Sequence, residues 1–257
     1  MSDAGLRRRV LITGASSGIG ESFAYWYADQ QCDVVLCARN HDDLQRVAAN
    51  IRARGANATM IIADLSHKDG VEAVVAECGA VDVLVLNAGL THAAPIGTTS
   101  RDQLDALAYL MSAGVVRLCE GIVPGMVQRG RGDVVIVSSI AAFTPMRKAA
   151  PYAAAKSHAT AYAQSLSLEV RSKGVRVVAV CPGYVRTDLH RRAGLDHLTQ
   201  KVPNWMWLSS TDVVRAASRG LERKKVVVVP GMIYRLVLPF LSSVLAQTIW
   251  RRLTRRR

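Results

Sequence analysis

The feature that most constrains how this chain can fold is an apolar run leading directly into three closely spaced glycines, within Arg9–Gly20. The run Val10–Ile12 is typical of a parallel strand that is covered on both faces. Gly14 can adopt backbone angles that are closed to other residues, so the chain can turn sharply after the strand. Because Gly18 and Gly20 have no side chains, a ligand and a packed helix can both approach the turn.

The helix predicted after this turn, residues 21–30, would direct its free N–H groups and the positive end of its dipole at the turn. That arrangement suits a phosphate anion. The turn residues placed to contact such a ligand are Gly14, Ser16, Ser17, Gly18 and Ile19. A strand-to-helix turn that binds nothing has the same pattern, so the rest of the chain must decide between the two.

Strands and helices alternate along the rest of the chain. Apolar runs predict further strands at 33–38, 58–63, 81–86, 133–137, 175–180 and 226–229. Helical spacing predicts helices over 42–54, 68–78, 101–128 and 152–172. We expect the helix over 101–128 to be interrupted or kinked around Pro124-Gly125. This alternation, with no linker to divide it, predicts one α/β domain with a mostly parallel sheet and helices on both faces.

Composition and charge narrow the class of protein. The first twenty residues lack the charged-then-apolar pattern of a signal peptide. The cysteines form no CxxC pair and lie mostly in or beside apolar runs, which predicts reduced core residues of a cytoplasmic protein; they are Cys32, Cys37, Cys78, Cys119 and Cys181. No HExxH or CxxC…H pattern is present, so we expect no metal site.

The net charge of +13 is concentrated at the two ends of the chain. Arginines at positions 7–9, 251–252 and 255–257 carry eight of these charges, which leaves +5 for the rest. A basic body would indicate nucleic acid, whereas basic ends indicate solvated tails or an anionic membrane surface. We therefore expect no nucleic-acid partner.

Several glycine-containing or polar stretches each follow directly after a predicted strand. In such sheets ligands bind at the carboxyl ends of the strands, so these stretches should meet at one edge. They are Gly14–Gly20, Arg39, Asp64-Leu65, Asn87-Ala88-Gly89, Ser139 and Pro182-Gly183. The clustering favours a ligand over an empty turn.

Arg39 indicates which dinucleotide would bind. The second strand ends in Ala38-Arg39-Asn40, without the acid that commonly binds the ribose hydroxyls of NAD. A guanidinium there can pair with the 2′-phosphate of NADP, so the sequence favours NADP over NAD; a solvated loop arginine is the alternative. Asp64 would accept a hydrogen bond from the adenine amine, or it would cap the next helix.

Tyr152 and Lys156 lie one helical turn apart on the same face of a predicted helix, and Ser139 ends the strand before it. The Lys156 ammonium and the positive nicotinamide ring would both favour the phenolate. Tyr152 could then exchange a proton with a carbonyl or alcohol oxygen that Ser139 stabilises, while the cofactor supplies the hydride. The alternatives are a strand-end cap for Ser139 and an ordinary exposed lysine for Lys156.

Five motifs occur in order: Thr13-Gly14-xxx-Gly18-Ile19-Gly20, Asn87-Ala88-Gly89, Ser139, Tyr152-xxx-Lys156 and Pro182-Gly183-xxx-Thr187. With this order and spacing, the chain resembles the short-chain dehydrogenase/reductase family over residues 9–188. The resemblance implies a seven-stranded, Rossmann-type doubly wound fold, NAD(P)-dependent carbonyl/alcohol chemistry, and homodimers or homotetramers. It also implies that Lys156 binds the nicotinamide ribose, that Thr187 holds the nicotinamide amide and that Val185 belongs to the cofactor site.

Two positions depart from the family pattern. Leu86 stands where the family usually has an asparagine, and Met111 stands where it has the asparagine of its proton relay. Methionine is a poor hydrogen-bonding group, so we predict catalysis with an altered or slower relay. The same departure motivates an alternative function, a non-catalytic NADP sensor or scaffold. The presence of Ser139, Tyr152 and Lys156 together argues against that alternative.

Large apolar side chains are frequent where the family builds its substrate lid, at about 188–210 of a catalytic domain over 1–230. They could line an apolar pocket for a bulky carbonyl or alcohol substrate, or they could be core or oligomer contacts. The candidates are Leu195, Leu198, Val202, Trp205, Met206, Trp207 and Leu208, with His92, Ala93 and Pro95 after the fourth strand.

The remaining residues, 231–257, form an apolar and then basic extension. Its apolar part is too short and too interrupted for a span of about 20 apolar residues. Helical spacing of its apolar residues would suit a helix on a membrane surface. It would equally suit a helix packed on the same domain or on a partner subunit, and we favour packing.

Overall fold

The computed structural model describes residues 7–91, 93–187, 202–241 and 243. Its strands are β1 (Arg9–Thr13), β2 (Asp33–Ala38), β3 (Ala58–Ile62), β4 (Val83–Leu86), β5 (Gly132–Val137), β6 (Val175–Val180) and β7 (Val227–Val228). They form one sheet in the order β3-β2-β1-β4-β5-β6-β7, and every neighbouring pair is parallel. The predicted seven-stranded, doubly wound α/β fold is confirmed.

Helices join the strands and cover both faces of the sheet. They are α1 (Gly18–Ala28), α2 (His41–Ala53), α3 (Lys68–Glu77), α4 (Arg101–Ala108), α5 (Gly114–Gln128), α6 (Ala150–Val170), α7 (Ser210–Glu222) and α8 (Met232–Leu241). Residues of α3, α5 and α6 pack on one face, and residues of α1, α2 and α7 pack on the other. Pro151 lies in the first turn of α6, as its fixed φ angle favours.

Side chains of each central strand alternate between two separate cores. In β1, Leu11 faces the core formed with α3, α5 and α6, whereas Val10 and Ile12 face the core formed with α1, α2 and α7. All three are fully buried. Burial on both faces explains why these strands are continuous apolar runs. The five cysteines lie in these cores or at their borders, buried and with free thiols.

The predicted interruption around Pro124-Gly125 does not occur, because α5 continues through both residues. The helical stretch over 101–128 departs from regular geometry at Tyr109–Ala113, which forms a π turn between α4 and α5, and Pro124 lies inside α5. Pro124 is exposed. The carbonyl that loses its helical partner there therefore has access to water, which lowers the cost of a proline in mid-helix.

The strand order creates a crevice beside β1. The chain leaves β1 toward β2 on one side, while β4 is its neighbour on the other. The loops after β1 and β4 consequently diverge at the carboxyl edge of the sheet. In doubly wound sheets this switch point is where ligands bind.

Candidate active site

The glycine turn is tied to the loop after β4 by Asn87. The Asn87 Nδ2 donates to the carbonyl oxygens of Thr13 and Gly14 at 3.0 and 3.1 Å. The Thr13 Oγ1 in turn accepts from the Asn87 backbone N–H at 3.0 Å. Gly14 has a φ of +64°, and a Cβ at Gly20 would overlap the Gly14 carbonyl oxygen. The turn therefore requires glycine at both positions, and Asn87 fixes its shape.

The first turn of α1 has N–H groups that its own N-cap side chain does not satisfy. Ser17 is the N-cap residue, and its side chain makes no capping hydrogen bond. The first helical bond is formed only by Glu21, whose N–H donates to the Ser17 carbonyl oxygen at 3.3 Å. These N–H groups lie beside the crevice at the positive end of the helix dipole, which fits a pyrophosphate.

The crevice is a cleft of about 690 Å³ along the carboxyl edge of the sheet. Every residue predicted for catalysis or cofactor binding lines it: Gly14, Ser16, Ser17, Gly18, Ile19, Arg39, Asp64, Leu65, Asn87, Ala88, Gly89, Ser139, Tyr152, Lys156, Pro182, Gly183, Val185 and Thr187. Cleft residues that the sequence did not indicate include Asn40, Ser66, Thr91, Ala106 and Leu110. The residues present fit a dinucleotide.

Arg39 and Asp64 face each other at one end of the cleft. The Arg39 Nη1 lies 3.7 Å from the Asp64 Oδ2, and the Arg39 side chain is 64% exposed. Burial acts to raise the pKa of Asp64, but hydrogen bonds from the Ser66 N–H and hydroxyl, together with the nearby charges of Arg39 and His67, outweigh it, and the pKa is lowered. The N-cap residue of α3 is His67, so the interpretation of Asp64 as that helix cap is wrong.

Arg46 is a residue at this end that sequence reasoning missed. Its Nη2 donates to the Ser16 carbonyl oxygen at 3.1 Å, and its Nη1 donates to the Glu21 Oε1 at 2.6 Å. The Tyr25 hydroxyl donates to the same oxygen at 2.7 Å. Arg46 thereby braces the glycine turn from α2. Sequence spacing carries no signal for the contact with Ser16, because it joins α2 to the glycine turn across 30 residues.

Lys156 lies in the wall of the cleft and not on the surface. Its Nζ donates to the Val137 carbonyl oxygen at 2.9 Å and lies 5.7 Å from the centre of the Tyr152 ring. Burial lowers the pKa of Lys156 to about 8. The Ser138 hydroxyl donates to the Lys156 carbonyl oxygen at 2.8 Å, which anchors this turn of α6. The alternative of an exposed helix lysine is wrong.

Tyr152 and Ser139 are paired across the cleft. Burial raises the pKa of Tyr152, and a hydrogen bond with Ser139 offsets this only in part. The protein alone therefore does not produce the expected lowering of that pKa by Lys156. The Ser139 Oγ also accepts from the Ala141 N–H at 3.1 Å, so Ser139 caps the short turn Ile140–Ala142 as well as facing Tyr152.

Met111 forms an apolar wall beside Tyr152. It lies in the π turn, is 2% exposed and packs with Leu107 and Ala155, with Tyr152 at the border of the cluster. A Cβ added to Gly89 would lie 3.3 Å from the Met111 Sδ and 3.6 Å from the Lys156 Nζ. The position that the family fills with an amide is therefore apolar and adjoins the lysine.

The predicted pocket residues that the structure describes are half-buried or exposed, and none of them lines the cleft. Val185 pairs with Leu208, which lies against the sheet core, and the Trp207 Nε1 donates to the Val202 carbonyl oxygen at 3.2 Å. Met206 and Leu208 pack against the sheet core, as the alternative of core contacts predicts, whereas Trp205, Ala93 and Pro95 are exposed. The candidates His92, Leu195 and Leu198 lie outside the described residues. On this side the cleft is lined instead by Leu90, Ala106 and Leu110.

A parallel doubly wound sheet, a glycine turn at its switch point and a tyrosine beside a buried lysine define a dinucleotide-dependent oxidoreductase fold and site. Residues 8–197 match the family described as short chain dehydrogenase. The chain belongs to the short-chain dehydrogenase/reductase family of NAD(P)-dependent oxidoreductases.

Individual relatives agree with this assignment. A dehydrogenase/reductase SDR family protein 7-like from Drosophila melanogaster is 35% identical over 72% of this chain, which spans 59% of that protein's length. A short-chain dehydrogenase from Sphingobium yanoikuyae, solved in complex with NADPH, superposes with a TM-score of 0.82 at 29% identity, covering 97% and 96% of the two chains. A bulky-bulky ketone specific alcohol dehydrogenase from Comamonas testosteroni superposes with a TM-score of 0.78 at 26% identity, covering 97% and 95%.

Proposed function

We propose that this protein is an NADP(H)-dependent oxidoreductase that interconverts the carbonyl and alcohol groups of bulky, apolar substrates. The proposal rests on the position of Ser139, Tyr152 and Lys156 at one end of a cleft. The glycine turn follows β1 in the middle of the same carboxyl edge, and Arg39 follows β2 beyond it. We also expect a homodimer or homotetramer in the cytoplasm, which light scattering and cell fractionation would test.

In the direction of reduction, Tyr152 would donate its proton to the carbonyl oxygen, and Ser139 would hydrogen-bond the same oxygen as charge develops on it. Bound NADPH would supply the hydride. Lys156 would favour the tyrosinate by its charge and, with a pKa lowered to about 8, can itself exchange a proton near neutral pH. Reprotonation of Tyr152 from the lysine side then needs a route past Met111.

Two observations support NADP over NAD. Arg39 is exposed at the end of β2, where no acid stands to meet a ribose 2′-hydroxyl. The Sphingobium relative was solved with NADPH. A bulky apolar substrate is supported by Leu90, Leu110 and Ala106 along the cleft and by the ketone preference named for the Comamonas enzyme.

The test is NADPH and NADH oxidation against a panel of ketones and aldehydes. Tyr152→Phe should lower kcat by about 10²–10⁴-fold, because general acid catalysis is lost. Arg39→Gln should raise the KM for NADPH about tenfold and leave the KM for NADH unchanged. Arg54→Gln, an exposed arginine paired with Asp29 away from the cleft, is the matched control. Turnover that survives Tyr152→Phe would disprove the mechanism.

The apolar Met111 favours one second candidate, a non-catalytic NADP sensor or scaffold. This function predicts tight NADPH binding with no turnover on any substrate of the panel. It also predicts that Tyr152→Phe changes neither binding nor partner contacts. Isothermal titration of NADPH alongside the activity panel distinguishes the two functions.

A further inference from the structure

The helix α8 is attached to the domain by one face only. Tyr234 is buried; its hydroxyl donates to the Met206 carbonyl oxygen at 2.6 Å and accepts from the Tyr184 N–H at 3.1 Å. Ile233 and Leu238 pack against the same core. These contacts fix the orientation of α8 on the body of the protein, and so they determine which side chains point outward.

The opposite face of α8 is apolar and exposed. Met232 and Leu236 are one helical turn apart and are 71% and 63% exposed, and Arg235 between them is also exposed. Trp205, 66% exposed, lies in the short turn Asn204–Met206 that the Tyr234 hydroxyl contacts. We call Met232, Arg235 and Leu236 the outer face of α8. A soluble surface rarely keeps large apolar side chains together in this way without a partner.

The charge of the surrounding sequence indicates which partner. From Arg223 to the end of the sequence given, residues 223–257 contain nine lysines and arginines and no acid. An apolar helix face within a strongly basic segment is typical of contact with anionic lipid, where apolar burial and charge attraction add. A second copy fits less well, because a two-fold contact through this face would bring together the exposed Arg235 side chains of the two copies.

We propose that the outer face of α8 docks the protein on an anionic membrane surface. The docking is peripheral. Among the described residues, the helical stretch that has the length and apolarity of a membrane span is Arg101–Gln128, and its α5 part packs into the core through Leu118 and Ile122. Packing of α8 on its own domain, which the sequence favours, and membrane contact are therefore compatible, since they use opposite faces of one helix.

Docking at this helix would also place the cleft close to the lipid. Gly183 lines the cleft, and a Cβ there would overlap the Tyr234 ring, so α8 touches the rim of the site directly. An apolar substrate dissolved in the bilayer would then have a short path to the cleft. This consequence rests on the proposed function, whereas the docking itself does not.

Vesicle flotation of the full chain tests the docking without using activity. The probes are vesicles of phosphatidylcholine alone and of phosphatidylcholine with about 30% phosphatidylserine. We expect the protein to float with the anionic vesicles, at least tenfold less with the neutral ones, and less as salt is added. The double variant Met232→Asp/Leu236→Asp should lose at least tenfold of the anionic binding.

Leu168→Asp is the matched control, since Leu168 is a leucine on α6 that is 65% exposed. It should float like the wild type. A milder variant, Leu236→Ser, should show an intermediate loss, and thermal melting of each variant reports folding independently of lipid. No flotation of the wild type, or equal flotation of the double variant and the wild type, would overturn the proposal. A change of oligomeric mass in the double variant with unchanged flotation would overturn it in favour of a second copy.

Discussion

Burial of Lys156 couples the chemistry of the site to the stability of the fold. Its pKa is lowered to about 8 by burial, whereas a lysine in an unfolded chain has a pKa of about 10.4. Between these two values the unfolded state holds a proton that the folded state has released. Stability therefore rises with pH across this window, and below it the buried charge disfavours folding.

We predict that this effect is visible as a pH-dependent difference between the wild type and Lys156→Met. From pH 7 to about pH 10.5 the free energy of unfolding of the wild type should gain about 2–3 kcal/mol relative to the variant, since each pKa unit corresponds to about 1.4 kcal/mol. Urea denaturation at a series of pH values measures it. For Lys173→Met, at an exposed position, the difference in free energy of unfolding from the wild type should not change with pH. If the difference in free energy of unfolding between the wild type and Lys156→Met does not change with pH, the lowered pKa of Lys156 is contradicted.

At the scale of elements, the strands were the most predictable part of the fold. Runs such as Val10–Ile12 and Val134–Val137 are continuously apolar because both faces of the sheet are covered, and this pattern identifies them without long-range information. The position of the helical irregularity was not predictable. Gly114 passes the Leu65 carbonyl oxygen, and a Cβ there would lie 3.4 Å from it. That close approach depends on how two distant segments pack.

The features of the site also divide into those that the sequence predicts and those that it does not. The glycine turn, Tyr152 and Lys156 were predictable because each belongs to a local spacing that its chemistry requires. The brace from Arg46 to Ser16 and the apolar wall at Gly89 arise where separate elements meet, so no spacing encodes them. The lowering of the Tyr152 pKa expected from Lys156 is not produced by the protein alone for a related reason, because burial, which raises that pKa, depends on the whole fold.

The π turn gives Met111 a testable role. In Met111→Asn an amide would stand beside Gly89 and Lys156, where it could hold a water and restore a proton route. We expect turnover to rise severalfold. Stability should fall by about 1–3 kcal/mol, because a polar group replaces an apolar one at a buried position. NADPH oxidation rates and urea denaturation of the same variant measure both effects.

Met126→Asn is the matched control, because Met126 is fully buried in α5 and packs beside Gly132 at the start of β5. It should lose comparable stability with no gain in turnover. If Met111→Asn has unchanged or lower turnover, the apolar residue is not what limits the relay.

In the whole molecule, the two edges of the sheet have different roles, one in ligand binding and the other in stability. The cleft lies at the carboxyl edge. At the amino edge, ion pairs around Asp133, at the start of β5, link neighbouring segments of the chain. The buried Asp133 carboxylate accepts from the Arg176 Nε at 2.6 Å and from the Arg176 Nη2 at 2.9 Å, and Arg8 pairs with its second oxygen. Three segments far apart in sequence are joined there, well away from the reacting groups.

This separation predicts that stability can be changed without changing cofactor binding. Asp133→Asn should lower the free energy of unfolding by about 2–4 kcal/mol, because it removes a buried carboxylate and leaves Arg8 and Arg176 without their partner. Asp29→Asn, which breaks an exposed pair with Arg54, should cost less than about 1 kcal/mol. The KM for NADPH should be the same in both variants and in the wild type, measured below the melting temperature of Asp133→Asn. A raised KM in Asp133→Asn alone would mean that the amino edge controls the geometry of the cleft through the strands that connect them.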